Sequence, residues 1–283
     1  MSAPTLVAAD ALSTPQLHAA TLAAFADYLI GPFQITPAQW PSFIGRQGVD
    51  LALSRVALVD GRIAAFSFIA PRRDVGRWRL GILGALPQAR GTGAGPLLLD
   101  DFIARAAADG QPEVELECFA GNERALRLYR GRGFEAVHPL RGWRSEPPDD
   151  LPAAPAEAPR AVDAQRGFAW LADAGSRIAD LPFPVTAASL RAQSRPLTFW
   201  QSGRAQLVFS VVDDTPIQLH SLIDEDPAHA GARSLAQALR AEFPDDAIVA
   251  PPLHRDDLGG AALAQAGFAP HGMPQVLMRR AAR

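Results

Sequence analysis

Gln88-Ala89-Arg90-Gly91-Thr92-Gly93-Ala94-Gly95 joins an apolar strand to an amphipathic helix, and its reading decides the fold. Upstream, Trp78 to Leu86 reads WRLGILGAL and is closed by Pro87. Downstream, Leu97, Leu98, Leu99, Phe102, Ile103 and Ala106 recur at helical spacing, with Asp100, Asp101 and Arg105 on the other side. The three glycines let the backbone turn tightly and aim several N–H groups at one point. A helix N-terminus adds partial positive charge there, which suits a phosphate or diphosphate. Two common phosphate loops do not fit. A Walker-type loop needs a lysine, and the chain contains none. A dinucleotide fingerprint needs a third glycine where Pro96 stands. Pro96 is compatible with a first helical turn, whose N–H groups have no intrahelical partner. The pattern that remains is Gln-x-x-Gly-x-Gly, from Gln88, Gly91 and Gly93.

The next informative stretch is VELECFAGNERALRLYRGRGFEAV, from Val114 to Val137. Val114, Leu116 and Cys118 alternate with Glu115 and Glu117, as a strand with two unlike faces requires. Asn122 stands at an N-cap position. Tyr129 follows seven residues later on nearly the same helical face, with Ala125 between them. Gly133 ends the helix and Phe134 starts the next strand. With the glycine loop before it, this order resembles the GNAT superfamily of N-acetyltransferases, over roughly residues 78–138.

The resemblance implies an α/β fold with a mixed sheet (α+β in its strand order) and acetyl-CoA as cosubstrate, with no metal. It implies two parallel strands, about 79–85 and 113–118, that part to seat the pantetheine arm. Amides near Leu83 and Ala85 would bind the acetyl carbonyl and the later oxyanion, a contribution of about 3 kcal/mol in comparable acyl transfers. The loop containing Gln88, through the N–H groups of Arg90, Gly91, Thr92, Gly93, Ala94 and Gly95, would hold the diphosphate. Asn122, with Ala125 on its helix face, would meet the pantetheine. Tyr129 would give a proton to the departing thiolate, a fair role for a phenol of ordinary pKa near 10. The amine would attack directly. Gly91 and Gly93 equally suit a bare strand–helix turn, Asn122 a simple cap, and Tyr129 a core position. Glu117 or Glu115 is a candidate general base, although charged alternate positions also make a solvated strand face. Cys118 is a poor nucleophile candidate, with no histidine near it in sequence.

The 283 residues suffice for two domains. With 48% hydrophobic and 20% charged residues and a net charge of −3, no electrostatic footprint for nucleic acid is expected. The single cysteine permits no internal disulfide and suits a reducing compartment. The first residues lack a secretory pattern, and no apolar run approaches the roughly 18 residues that cross a bilayer. A cytoplasmic protein without membrane contact is expected. The six histidines are scattered without metal-ligand spacing.

A first domain is expected over residues 1–145, and a Pro- and Ala-rich linker over 146–160. Ser13 is placed to cap a helix through Tyr28, Pro37 to start another, and Asp60-Gly61 to turn a hairpin. Residues 161–283 repeat the first domain weakly. Residues 248–268, IVAPPLHRDDLGGAALAQAGF, align with 114–134 at an offset of 134. The chemistry does not recur, since Leu263 stands for Tyr129, Asp256 for Asn122 and Pro251 for Glu117. Asp224, Glu225 and Asp226 replace the glycine loop, each repelling a diphosphate by about 1 kcal/mol at close range even in water. The second domain is therefore expected to be a degenerate GNAT-like fold that does not bind acetyl-CoA.

The acceptor is expected to be a small-molecule amine or a peptide, met by Tyr28 and Phe25 among the aromatic residues of the first helices. Two functions stay open: an acetyl-CoA-dependent N-acetyltransferase, or a non-catalytic CoA-binding regulatory module. The tandem suits a monomeric pseudo-dimer or a homodimer.

Overall fold

The computed structural model describes residues 3–147 and 158–283, so most of the expected linker lies outside the described residues. The chain divides into two compact units, residues up to Val137 with Leu277–Arg283, and His138–Val276.

In the first unit, β1 (Thr5–Ala8) precedes α1 (Thr14–Ala24), α2 (Trp40–Arg46), β2 (Asp50–Val59), β3 (Arg62–Arg72) and β4 (Arg77–Ala85). Then come α3 (Ala94–Ala108), β5 (Glu113–Phe119), α4 (Glu123–Arg130) and β6 (Glu135–Ser145), which continues into the second unit. Strands β1 to β4 are antiparallel neighbours in chain order, and β5 joins β4 in parallel. Asp60 and Gly61 both adopt positive φ, 49° and 73°, the mirror-image turn whose twist matches the β2–β3 hairpin. Alternation along the strands sorts the core. Val56, Phe66 and Phe68 pack under Leu17, Ala20 and Trp40 of the first two helices. Ala57 and Ala65 face the other way, against Ala94 and Leu98 of α3.

Helix α1 starts where expected, with the Ser13 amide donating to Gln16 Oε1 at 2.9 Å. It stops four residues before Tyr28. The Phe33 amide returns to the Phe25 carbonyl at 3.1 Å, around Gly31 at φ 100°, and Pro32 cannot continue a helix. The chain therefore doubles back and leaves Asp27, Tyr28 and Leu29 on a loop.

The second unit receives His138–Ser145 of β6 and continues with β7 (Arg160–Val162), α5 (Ala164–Arg177), α6 (Ala187–Arg191), β8 (Thr198–Ser202) and β9 (Ala205–Ser210). It is completed by β10 (Ile217–Asp224), α7 (Ala230–Glu242), β11 (Ile248–His254), α8 (Gly260–Gln265) and β12 (Ala269–Pro270). The order of its strands is β7-β8-β9-β10-β11-β6, with β10 and β11 parallel. The last strand of the chain, β13 (Gln275–Ala281), lies beside β5, and its residues from Leu277 onward belong to the first unit. The expected boundaries are thus displaced in two ways. The first unit ends at Val137 rather than 145, and the second does not keep the residues after Val276. Local pattern does not name a strand's neighbours, because a strand can pair along either edge that accepts its register.

The repeat is visible in backbone detail. Gly133 and Gly267 both have positive φ, 79° and 88°. The following amide, Phe134 or Phe268, donates to Tyr129 O at 3.1 Å or Leu263 O at 3.0 Å. The same cap closes both helices at the offset read from sequence.

Candidate active site

The pairing of β4 with β5 runs from Trp78–Val114 to Leu80–Leu116 and stops, although β4 continues to Ala85 and β5 to Phe119. The register between β3 and β4 slips at the same place, where Phe68 faces Ile82 and Ile69 faces Leu80. Gly81 is the extra residue, and such a bulge bends a strand away from its neighbour. Beyond it the Leu86 amide donates to Ala64 O across the β3 edge at 2.9 Å. Successive strand residues point their amides to opposite edges. The Leu83 and Ala85 amides therefore face the edge that β5 has left.

The turn after β4 is built from Pro87–Ala89, with Gly91 and Gly93 at φ 83° and 89°. Gly93 is the N-cap of α3. The Arg90 and Thr92 amides close this turn onto Pro87 O and Ala89 O, both at 3.3 Å. This narrows the expected nest, because those two amides are already engaged. Among the described residues, the amides of Gly91, Gly93, Ala94 and Gly95 make no backbone bond outside the helix. Nothing lies within 4 Å of the position a Cβ would take at Gly91, Gly93 or Gly95, so the space over the loop is open. These amides at a helix start, with open space over the three glycines, fit a diphosphate.

Leu83, Ala85, Arg90, Gly91, Gly93, Gly95, Asn122, Ala125 and Tyr129 share the wall of one cavity of about 590 Å³. Phe25, Asp27, Tyr28 and Leu29 form its other side. Gln88 is exposed on the turn, and neither it nor Thr92 and Ala94 lines the cavity. Asn122 Oδ1 caps α4 by accepting from the Ala125 amide at 3.2 Å, and Asn122 shares the cavity wall with Tyr28, whose phenol pKa its side chain acts to lower against the effect of burial. Tyr129 is buried against Phe134, with ring centroids 5.9 Å apart. Burial drives its phenol well above the usual range, reinforced by Cys118 and Tyr28 nearby. Burial likewise lifts the Cys118 thiol to about 11 and raises Tyr28. The pocket thus holds neutral proton donors, and the thiol is no nucleophile at neutral pH.

Glu117 is placed elsewhere. Its carboxylate accepts from Arg79 Nε at 2.7 Å, and that guanidinium also donates to Gln47 O. Glu117 is not part of the cavity wall, and its Oε1 is buried without a partner among the described residues. Glu115 is bound by Arg72 at 2.6 Å and Arg77 at 3.1 Å. The expected base is therefore half of a buried ion pair. Sequence reading missed Asp27, Arg124 and Leu128 in the wall. Leu128 follows Ala125 by one helical turn, a signal the sequence did carry. Asp27 carried none.

The corresponding place in the second unit is filled from within. Asp224 Oδ2 accepts from the Ala232 amide at 2.8 Å in the first turn of α7, and Oδ1 from the Asp226 amide at 2.9 Å. A Cβ on Gly259 would lie 3.1 Å from Ala232 Cβ and 3.6 Å from the Asp224 amide nitrogen. A carboxylate and close backbone packing occupy what is open in the first unit.

A parting strand pair, an amide nest at a helix start and a buried phenol meet across one cavity. A family profile described as the acetyltransferase (GNAT) family matches residues 22–134. That segment is of the GNAT acetyltransferase family, whose members use acetyl-CoA. No curated protein matches the sequence. Among solved structures, the chain is similar to a GCN5-related N-acetyltransferase from Sphaerobacter thermophilus, at 17% identity and a TM-score of 0.63, covering 99% of this chain and 96% of that one. A GCN5-related N-acetyltransferase from Anabaena variabilis gives 13% identity and 0.62, with coverages of 99% and 73%. Eis1 from Mycobacterium abscessus gives 15% and 0.56, again with 99% and 73%. At these identities the likeness is one of fold. Among the described residues, no helix is long and apolar enough to cross a membrane.

Proposed function

We propose that the first unit transfers an acetyl group from acetyl-CoA to the nitrogen of a small-molecule amine or a peptide by direct attack, while the second unit binds no acetyl-CoA. One observation carries this reading: Gly91, Gly93 and Gly95 of the open loop, Leu83 and Ala85 with their edge amides, and Tyr129 line the same cavity as Phe25 and Tyr28. Acetyl-CoA supplies an activated thioester. The amides of Gly91, Gly93, Ala94 and Gly95 bind its diphosphate, and those of Leu83 and Ala85 orient the acetyl carbonyl oxygen. Tyr129, held protonated by burial, donates its proton to the sulfur that leaves. Among the wall residues the one carboxylate is Asp27, paired with Arg90, so the amine enters as the free base. Asp224 stands where the second unit would need a diphosphate, which supports one acetyl-CoA site per chain.

The test is free-thiol release from acetyl-CoA in the presence of a panel of amines and peptides. Tyr129→Phe is expected to lower turnover by about 10²-fold while leaving acetyl-CoA affinity nearly unchanged. The rate is expected to rise with pH toward the pKa of the amine. Tight acetyl-CoA binding without thiol release from any acceptor would leave the regulatory module as the better reading.

A further inference from the structure

The cavity is walled on one side by the loop that follows α1, which has no regular structure between Phe25 and the start of α2. Something must hold it in place, because a loop of that length otherwise samples many conformations. Two ties reach it from the cofactor side. Arg90 donates from Nη1 to Asp27 Oδ2 and from Nη2 to Asp27 Oδ1, both at 2.5 Å, the two-pronged geometry of the strongest carboxylate pairs. The same Nη2 donates to Ala24 O at 3.1 Å, at the carbonyl end of α1 where a cation is favoured. Arg90 Nε reaches Ala85 O at 3.4 Å, beside the amides that face the parted strands. The second tie is the Tyr28 ring, set edge-on to Phe119 of β5 with centroids 5.9 Å apart. One guanidinium therefore connects the turn that carries the amide nest, the end of β4 and the acceptor-side loop.

We propose that Asp27 is a positioning residue that couples the two substrates: through Arg90 it fastens the Phe25–Phe33 wall to the diphosphate loop, so the acceptor side is completed by the ordering of the cofactor side. This deepens the acetyltransferase reading and rests on it. Asp27 touches neither reacting group. Its carboxylate is held below the usual range by the Arg90 hydrogen bonds, so the clasp persists throughout the neutral range. Ordering of the glycine loop by a diphosphate also orders the Arg90 main chain, and the clasp passes that restraint to Tyr28 and Leu29.

The experiment is hydrogen–deuterium exchange of the full chain, with and without acetyl-CoA, read at the Gly31 and Phe33 amides, which donate to Tyr28 O and Phe25 O. In the wild type, acetyl-CoA is expected to slow exchange there. Asp27→Asn is expected to speed it about three- to fivefold and to abolish the response to acetyl-CoA, while acetyl-CoA affinity by calorimetry changes less than twofold. The conservative variant Asp27→Glu, which keeps a carboxylate for Arg90, is expected to retain the response to acetyl-CoA that Asp27→Asn loses, a difference that a merely steric role for the side chain would not produce. Unchanged exchange in Asp27→Asn, or a retained response to acetyl-CoA, would overturn the proposal. If acetyl-CoA does not bind the wild type at all, the acetyltransferase reading fails instead, and the effect of Asp27→Asn on the free protein still reports on the clasp.

Discussion

Gly84→Ala tests the geometry of the site at its tightest point. A Cβ at Gly84 would lie 2.5 Å from Phe66 Cζ and 2.9 Å from Cε2, far inside van der Waals contact. The ring cannot retreat freely. Phe66 has no exposed surface, stacks on Phe68 with centroids 4.7 Å apart, and meets Phe25 edge-on at 6.3 Å. Forcing one methyl group into such a core costs about 1–3 kcal/mol, which in a protein of this size corresponds to a fall in Tm of about 3–10 °C. The strain has a functional consequence, because Gly84 stands between the two amides that face the parted strands. If β4 gives way rather than the ring, Leu83 and Ala85 shift and the transfer rate falls along with stability. Thermal unfolding by circular dichroism, paired with thiol-release kinetics, reads both effects. Phe66→Leu in the Gly84→Ala background makes room for the methyl group. The double variant is expected to be more stable than the two single losses combined would give. A Gly84→Ala protein with unchanged Tm and unchanged turnover would refute the placement of Phe66 against β4.

Glu115→Ala is expected to destabilise the first unit by about 3 kcal/mol in urea unfolding, because it strips the buried Arg72 guanidinium of a carboxylate held at 2.6 Å. His254 is fully buried, donates from Nδ1 to Pro251 O at 3.1 Å, and is pushed by burial down to about 4. Its folded value lies below its unfolded value of about 6.5, so its contribution is complete above pH 6.5 and fades as pH falls toward 4. The loss amounts to about 3 kcal/mol, and a flatter stability profile between pH 6.5 and 4 in His254→Gln checks it. Asp224→Ala is expected to cost about 1–2 kcal/mol through the lost cap of α7. Calorimetry should still find a single acetyl-CoA site in that variant, since Gly259 keeps the space closed.

The parts of the site that depend on backbone conformation were legible in the sequence. Gly91 and Gly93 are needed for left-handed φ, and Gly133 with Phe134 makes the cap that recurs at Gly267 and Phe268. Spacing alone placed Asn122, Ala125 and Tyr129 on one helical face, and all three meet at the cavity. What required pairing partners was not legible. Alternation set Glu115 and Glu117 apart from Val114 and Leu116, but it could not show that Arg72, Arg77 and Arg79 would face them. Those partners follow from the parallel register of β4 and β5, a long-range property. Asp27 and Arg90 are 63 residues apart and of ordinary exposed types, so nothing local couples them. The strand begun at Phe134 poses the same problem, since β13 and not β6 lies next to β5.

The placement of Leu277–Arg283 in the first unit bears on how the polypeptide matures at the ribosome. When residues up to Val137 have emerged, the edge of β5 still lacks the neighbour that only the final segment provides. An uncovered edge of that kind invites pairing with other nascent chains. The first unit must therefore wait, partly assembled, until Leu277–Arg283 have emerged. Fragments that stop before Leu277 should clump together, whereas the same fragments supplied with the missing strand as a peptide should stay dispersed.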